Sequence, residues 1–380
     1  MDIFVLFFLV LGIYPFALYP LAIWLLSKGS SERPTKTGGD ATVTVVIAAY
    51  NEEVHIEETI KNKLNQKYPA DLLNIVVVSD GSTDETDSIV NRLAESNPRV
   101  QLIRQRREGK TAGLNRAVAE CSSDIIVFSD ANSTYSNDAL QSLVESFNDP
   151  TVGYVTGRMV YRVDDDSIAG SGSNAYMRYE NQLRTWESKV DSVVGVDGGV
   201  DAIRRHLFKP MKASELPDFA LPLKVVDQGY RVAYQPRAVV YEDALTSTND
   251  EFSMRVRVAA RAIWTLLDYR RLVNPLNFGV FSWQLLSHKW LRYFSFAPFF
   301  LAFLVAWMSA NSSSFSLVVA LVLSTGIVVG AASALDFFGV NRFSIFRLIG
   351  YFFLINVSSF FGFLRVARGK RITTWQPRVG

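Results

Sequence analysis

The sequence predicts an α/β protein: a mostly parallel sheet with helices on both faces, and apolar helices added at each end of the chain. Three observations predict it. Short β-branched runs alternate with helical stretches between residues 42 and 130, the pattern of strands joined by helical crossovers. Several of these runs stop at an acidic or Asn-containing loop, where open parallel sheets bind their ligands. Hydrophobic residues make up 49% of the chain and mean hydropathy is positive, yet the excess sits at the two ends.

Residues 3–26 form a near-continuous apolar run that includes Phe7, Leu9, Leu21 and Trp24. At about 1.5 Å per residue this spans a bilayer core, so 1–26 is expected to be a transmembrane helix. A cleaved signal peptide would begin basic and be shorter. Lys28, Arg33 and Lys36 follow the run, and the positive-inside rule places them in the cytoplasm. Residues 27–41 read as a polar Gly/Ser/Pro linker.

TVTVVIAAY (42–50) is the first expected strand, followed by a helix over roughly 53–66. NIVVVSD (74–80) is the second. Ser82 or Thr83 is expected to cap the next helix, with Asp84 and Glu85 favourable in its first turn. VQLIR (100–104) and DIIVFSD (124–130) are further strands. This α/β domain is expected to run over 42–248. Interface helices at 249–292 follow, carrying Arg255, Arg257, Arg261, Arg270, Arg271, Lys289 and Arg292 among Phe, Trp and Leu, a composition suited to a membrane surface.

Residues 293–366 are expected to be transmembrane or interfacial helices, and 367–380 a basic cytoplasmic tail. Segments 294–310 and 315–335 can each cross a bilayer. The stretch 348–364, between Arg347 and Arg365, is near the short limit. A third crossing would carry RVARGKR outside, so this stretch is expected to stop at the interface. The layout implies a multi-pass protein of the cytoplasmic (inner) membrane, with the lipid bilayer as a partner.

Composition narrows the classes. With 39 basic and 37 acidic residues the net charge is +2, which gives no support to nucleic acid binding. The single Cys121 allows no internal disulfide. Three histidines, none at ligand spacing, argue against zinc. A transporter would place ionisable groups in its spans, and 294–310 and 315–335 have none.

Four loops carry candidate chemistry. AAYNEE (48–53) ends the first strand; its Asn and Glu suit a nucleobase or ribose, or an ordinary helix start. In SDGSTDET (79–86), Asp80 ends a strand and Gly81 permits a tight turn; a carboxylate there suits a uracil N–H or a ribose hydroxyl, or simply faces water. REGKTAGLN (107–115) sets Arg107 and Lys110 before a helix, which suits a diphosphate. It lacks the Walker spacing, and a solvated basic loop is the plainer reading. In FSDANS (128–133), Asp130 and Asn132 lie two apart, so an extended segment would point both the same way, toward Mg²⁺ or Mn²⁺, unless this is only an Asn turn.

YNEE, DGSTD, GK-x-x-x-LN and a strand-end Asp-x-Asn, in this order and spacing, resemble the family 2 glycosyltransferases with their GT-A fold, over roughly residues 42–245. The membrane-flanked layout is similar to the branch with cellulose and hyaluronan synthases and exopolysaccharide transferases. The resemblance implies that Ala49, Tyr50, Glu52 and Asp80 hold the nucleoside of a nucleotide diphosphate sugar. It further implies that Lys110 is near the diphosphate and that Asp130 and Asn132 take the metal-binding Asp-x-Asp place. Asn in the second position lowers the charge offered to the ion.

Downstream, Gly198 and Gly199 precede AIRR; the family places such a segment on the acceptor side, though glycines also fit a close backbone crossing. Pro217-Asp218 stands where the family commonly has two acids, the second being the inferred base, so Asp218 is the candidate catalytic base, against a role as helix N-cap alone. The processive Gln-x-x-Arg-Trp signature is absent. In its vicinity RVRVAARAIW sets Arg257, Arg261 and Trp264 on neighbouring helical faces, for a diphosphate, an acceptor sugar or the membrane interface.

The expected activity is inverting transfer of a sugar, of the hexosyltransferase type. The donor is a UDP-sugar by resemblance, the acceptor lipid-linked or saccharide, and the product a polysaccharide or glycolipid. A processive synthase and an inactive nucleotide-binding module are the alternatives.

Overall fold

The computed structural model describes residues 1–30, 41–162, 168–243, 248–335, 344–369 and 371. Most of the linker expected at 27–41 and most of the tail expected at 367–380 lie outside the described residues. The chain divides into two compact units. One is α/β and takes Gly29–Arg162 and Glu180–Asp243; the other is helical and takes Met1–Lys28, Val163–Tyr179 and Ala244–Arg371.

The α/β unit is built on eight strands: β1 Val43–Ala49, β2 Leu73–Asp80, β3 Val100–Gln105, β4 Ile125–Asp130, β5 Thr134–Tyr135, β6 Val152–Arg162, β7 Asp201–Arg204 and β8 Arg231–Asp243. They form one sheet in the order β3-β2-β1-β4-β7-β6-β8-β5. The first four pair in parallel. Strand β7 then runs antiparallel to both β4 and β6, β8 runs parallel to β6, and β5 antiparallel to β8. Four of these seven pairings among the described residues are parallel, so the sheet is mostly parallel, as expected. Strand β1 is buried along its whole length, as a central strand covered on both faces must be. Chain order reverses between β1 and β4, and the crevice beyond the carboxyl ends of such a pair is where a ligand fits.

The helix after β1 runs Ile56–Leu64, and Ile56 and Ile60 are buried on its inner face. The helix after β2 begins at Thr86 with Glu85 at the N-cap. Ser82 and Thr83, the expected caps, instead bond across to the loop after β1. Asn51 N–H donates to Ser82 Oγ at 3.1 Å, and Thr83 N–H donates to Asn51 Oδ1 at 2.8 Å. A long-range partner outcompeted the local cap.

The helical unit departs from the expected spans in three places. The apolar run 3–26 is two helices, Asp2–Ile13 and Leu18–Lys28, bent by 54°; Phe296–Ser309 is likewise bent by 59° from Pro275–Tyr293. Pro15 lies in the break of the first bend, where proline removes a helical donor, and Gly279, at φ +53°, separately breaks the 275–285 helix. The stretch expected to stop at the interface belongs to a 24-residue helix, Ser344–Ala367. Of it, Phe346–Ala367 is long and apolar enough to cross a membrane, as is Ser314–Ala334. Small residues let these helices approach one another. A Cβ at Gly330 would stand 2.7 Å from Phe353, and one at Gly362 2.7 Å from Ala259. Large apolar side chains such as Phe7, Val322 and Val328 face outward, as lipid-facing residues do.

Candidate active site

The loops beyond β1, β2 and β4 converge. Asn51 holds a positive φ of +53°, a backbone state that concentrates at functional sites. Its neighbours fix it there: Glu52 N–H donates to Thr86 Oγ1 at 2.8 Å and Glu85 N–H to Glu53 Oε2 at 3.0 Å. The loop after β1 and the loop after β2 are thus one interlocked piece.

Asp80 ends β2 and is 3% exposed. Its carboxylate accepts from Gln105 Nε2 at 2.7 Å and from the N–H groups of Glu108 and Gly109 at 2.8 and 3.0 Å, and it pairs with the Arg107 guanidinium. Arg107 in turn lies 3.5 Å over the Tyr50 ring. Asp80 therefore organises the 105–109 loop, and Tyr50 and Arg107 form a stacked shelf beside it. Gly81 turns at φ +74°, and a Cβ there would come 3.1 Å from the Arg107 backbone.

That loop delivers Lys110 to the next strand end. Lys110 Nζ is 2.5 Å from Asp130 Oδ1 at the tip of β4. Burial works against the Lys110 ammonium, but Asp130, Asp218 and Glu242 outweigh it and hold its proton affinity above the ordinary value. One lysine thus senses the candidate metal-binding acid, the candidate base and a third acid. The rest of the GKTAGLN motif is scaffold. Leu114 is buried, and the Asn115 amide brackets Met211, donating to its carbonyl at 2.8 Å and accepting from its N–H at 2.9 Å. Thr111 Oγ1 donates to the Glu215 carbonyl at 3.3 Å. This fastens the segment that leads into Asp218.

Asp218 lies in the first turn of helix Pro217–Val226, whose N-cap is Leu216; it is not the cap. Its carboxylate rests on Gly198, where φ is +99° and an added Cβ would fall 2.5 Å from Asp218 Cγ. Gly199 makes equal room for Glu242, whose Oε1 would be 2.6 Å from a Cβ there. The two glycines expected on the acceptor side thus seat two acids. Asp197, just before them, pairs with Arg184.

Beneath this group lies Asp201 on β7, opposite Thr156 of β6 and 1% exposed. Burial, with Asp218 nearby and against hydrogen bonds from Thr156 and Tyr154, pushes its carboxyl up to about 8. Lys63 is wholly buried on helix Ile56–Leu64; burial draws its ammonium down to about 7 against the pull of Glu242 and Asp130.

One expectation about the metal loop changes. Residues 131 and 132 turn immediately after β4, and Ser133 Oγ donates back to the Asp130 carbonyl at 3.0 Å. The alternation that would align Asn132 with Asp130 does not apply to a turn. Among the described residues no group of three or more His, Cys, Asp or Glu side chains is arranged to hold a metal. Asp130, at a strand end beside the Lys110 ammonium, offers a single carboxylate, which fits an ion whose other ligands would be phosphate oxygens. Arg257, Arg261 and Trp264 belong to the helical unit. There Trp264 carries the Arg371 guanidinium 4.3 Å over its ring, and Arg371 also pairs with Asp268 at 3.1 Å. Glu242, Asp201, Lys63 and Tyr135 escaped the sequence reading; the signal available was a charged residue inside an apolar strand or on the inner face of a helix.

A crevice at the β1/β4 reversal, a lysine joined to a strand-end acid and an acid seated on paired glycines lie on a mixed sheet of the GT-A class. The Glycosyl transferase family 2 model matches residues 44–210. Over those residues the chain is similar to glycosyltransferase family 2. It is 29% identical over 241 residues to the probable glycosyltransferase YdaM of Bacillus subtilis, covering 60% of this chain and 56% of that one. It is 24% identical over 261 residues to poly-beta-1,6-N-acetyl-D-glucosamine synthase of Staphylococcus aureus, covering 66% and 62%. The matches thus span less than two thirds of these relatives' lengths. Among solved structures, the mannosyltransferase PcManGT from Pyrobaculum calidifontis, in complex with GDP-Man and Mn²⁺, matches with a TM-score of 0.71 and 25% identity, covering 97% of this chain and 99% of that one.

Proposed function

We propose that this protein transfers a sugar from a nucleoside diphosphate sugar to an acceptor held at a membrane, with inversion at the anomeric carbon. The observation that carries the reading is the Lys110–Asp130 contact at 2.5 Å, with Asp218 and Glu242 seated on the adjoining Gly198 and Gly199. Asp218 takes the proton of the acceptor hydroxyl as that oxygen attacks. Lys110 meets the charge that develops on the departing diphosphate. Asp130 is the residue that would hold a Mg²⁺ or Mn²⁺ ion, which would supply further neutralisation of the leaving group. Tyr50 and Arg107 offer the nucleobase a shelf. The two apolar helices long enough to cross a membrane support a membrane-associated acceptor and a location at the cytoplasmic membrane.

Family resemblance favours a UDP-sugar. The near full-length likeness to a GDP-mannose-bound mannosyltransferase favours a second reading, GDP-mannose as donor. Purified protein in detergent is incubated with Mn²⁺ and a panel of UDP- and GDP-sugars, with membrane lipid extract as acceptor, and free nucleoside diphosphate is followed. Release from one donor, lowered about 10²–10⁴-fold by Asp218→Asn, is expected. No release from any donor overturns the reading.

A further inference from the structure

The helix Ile56–Leu64 does more than cover the sheet. Thr59, Asn62 and Lys63 are spaced i, i+3, i+4 and share one face. Each reaches the loop that follows β4. Thr59 Oγ1 donates to the Ala131 carbonyl at 2.6 Å. Lys63 Nζ donates to the Ser133 carbonyl at 2.5 Å. Asn62 Nδ2 donates to the Tyr135 carbonyl at 3.0 Å, and its Oδ1 accepts from Tyr135 N–H at 2.8 Å. Three alternate carbonyls of one loop are therefore held in order by one helix.

Lys63 differs from its two neighbours. A wholly buried ammonium is costly, and an apolar side chain would fill the helix face at less cost. Its surroundings are built for it. Nζ also reaches Asn62 Oδ1 at 3.2 Å and lies 3.9 Å over the Tyr135 ring. The Tyr135 hydroxyl stands 3.0 Å from the carbonyls of both Phe128 and Gly199. Lys63 thus connects the tip of β4 to the glycine pair on which Asp218 and Glu242 rest. The same helix starts directly after the interlocked loop 51–53.

We infer that Lys63 is a positioning residue: its buried ammonium, with Thr59 and Asn62, fixes the 130–135 loop so that Asp130 meets a metal–diphosphate. The inference rests on the reading of Asp130 as the metal-binding acid. It explains how a loop offering Asp-x-Asn, one charge fewer than two acids, is kept in register for an ion held mostly by phosphates. The charge acts through the loop and touches no substrate atom.

The test uses the full chain in detergent and titrates UDP and GDP by calorimetry, once with Mn²⁺ and once with EDTA. Lys63→Met keeps the volume and removes the charge. Partners that hold metal ligands in place are worth about 10–100-fold in metal affinity. The expected result is therefore Mn²⁺-dependent binding weakened about tenfold or more, with EDTA-condition affinity within about twofold of the original. Donor KM at limiting Mn²⁺ rises more than kcat falls. Thr59→Val, which removes one neutral bond to the same loop, carries the test should Lys63→Met not fold; its Mn²⁺-dependent affinity falls about threefold. Unchanged Mn²⁺-dependent binding in a folded variant overturns the inference alone, as does an equal loss with Mn²⁺ and with EDTA. Wild-type protein that binds both nucleotides no better with Mn²⁺ than with EDTA overturns the metal reading of Asp130 and this inference with it.

Discussion

Asp80 and Asp130 both end a parallel strand, both precede a loop rich in small polar residues, and look alike in sequence. In the fold they differ. Asp80 is buried and receives a side-chain amide, a guanidinium and two backbone N–H groups from residues 105–109. Asp130 is partly exposed, its side chain 32% accessible, and is joined to the Lys110 ammonium. The first builds a loop; the second faces the crevice. The difference teaches that strand-end position locates a site but does not assign roles within it. Roles follow from how many donors the fold has already directed at the carboxylate.

Replacing each acid by its amide separates these roles. Asp130→Asn is expected to lower kcat for nucleoside diphosphate release by about 10²–10³-fold, the range for removing one charge-stabilising contact. Its melting temperature moves little, because a partly exposed ion pair contributes about 1 kcal/mol or less. Asp80→Asn should do the reverse. It sets an amide N–H₂ against several donors in a buried place, at a cost of about 1–3 kcal/mol. The melting temperature falls and donor KM rises as the 105–109 loop loosens. Equal stability losses in the two variants would erase the contrast.

Asp201 extends the comparison to an acid that reaches neither crevice nor loop. Its carboxyl sits at about 8 in the fold and near 4 in an unfolded chain. Between those values the native state holds the extra proton, so stability falls as pH rises from about 4 to 8, by at most about 1.4 kcal/mol per pH unit. Asp201→Asn removes the titration, and its melting temperature should flatten over that window relative to wild type. Parallel melting curves across the window would show that Asp201 is ionised in the fold.

Much of the α/β unit was legible because its signals are local. Runs such as NIVVVSD combine β-branched residues with a strand-end acid, and β2 ends at Asp80 as expected. The loops of the candidate site were legible for the same reason: each follows directly from a strand. What was not legible depends on distant partners. Ser82 and Thr83 have the side chains of helix caps but bond to Asn51 instead. Glu242 lies near the end of β8, more than a hundred residues from Lys110, and only the sheet order brings them together. The extended reading of Asp130 and Asn132 failed because Ser133 closes a turn. In the helical unit, composition gave the apolar segments, but hydropathy does not register the bends of 54° and 59°, the first of which has Pro15 in its break.

The smallest effect concerns Trp264, read from sequence as a surface for a diphosphate, an acceptor sugar or the membrane. Its ring carries Arg371, which also pairs with Asp268. Both contacts involve a partly exposed arginine, so Arg371→Ala should cost about 0.5–1 kcal/mol and leave donor turnover unchanged. The informative quantity is the ratio of transfer to hydrolysis. If the Trp264 face served an acceptor sugar in exchange for Arg371, uncovering it would strengthen acceptor binding and raise that ratio. A ratio that stays constant while the melting temperature drops slightly assigns Trp264 and Arg371 to the packing of the helical unit. The chemistry then rests with the acids and lysine beyond the carboxyl ends of β1 and β4.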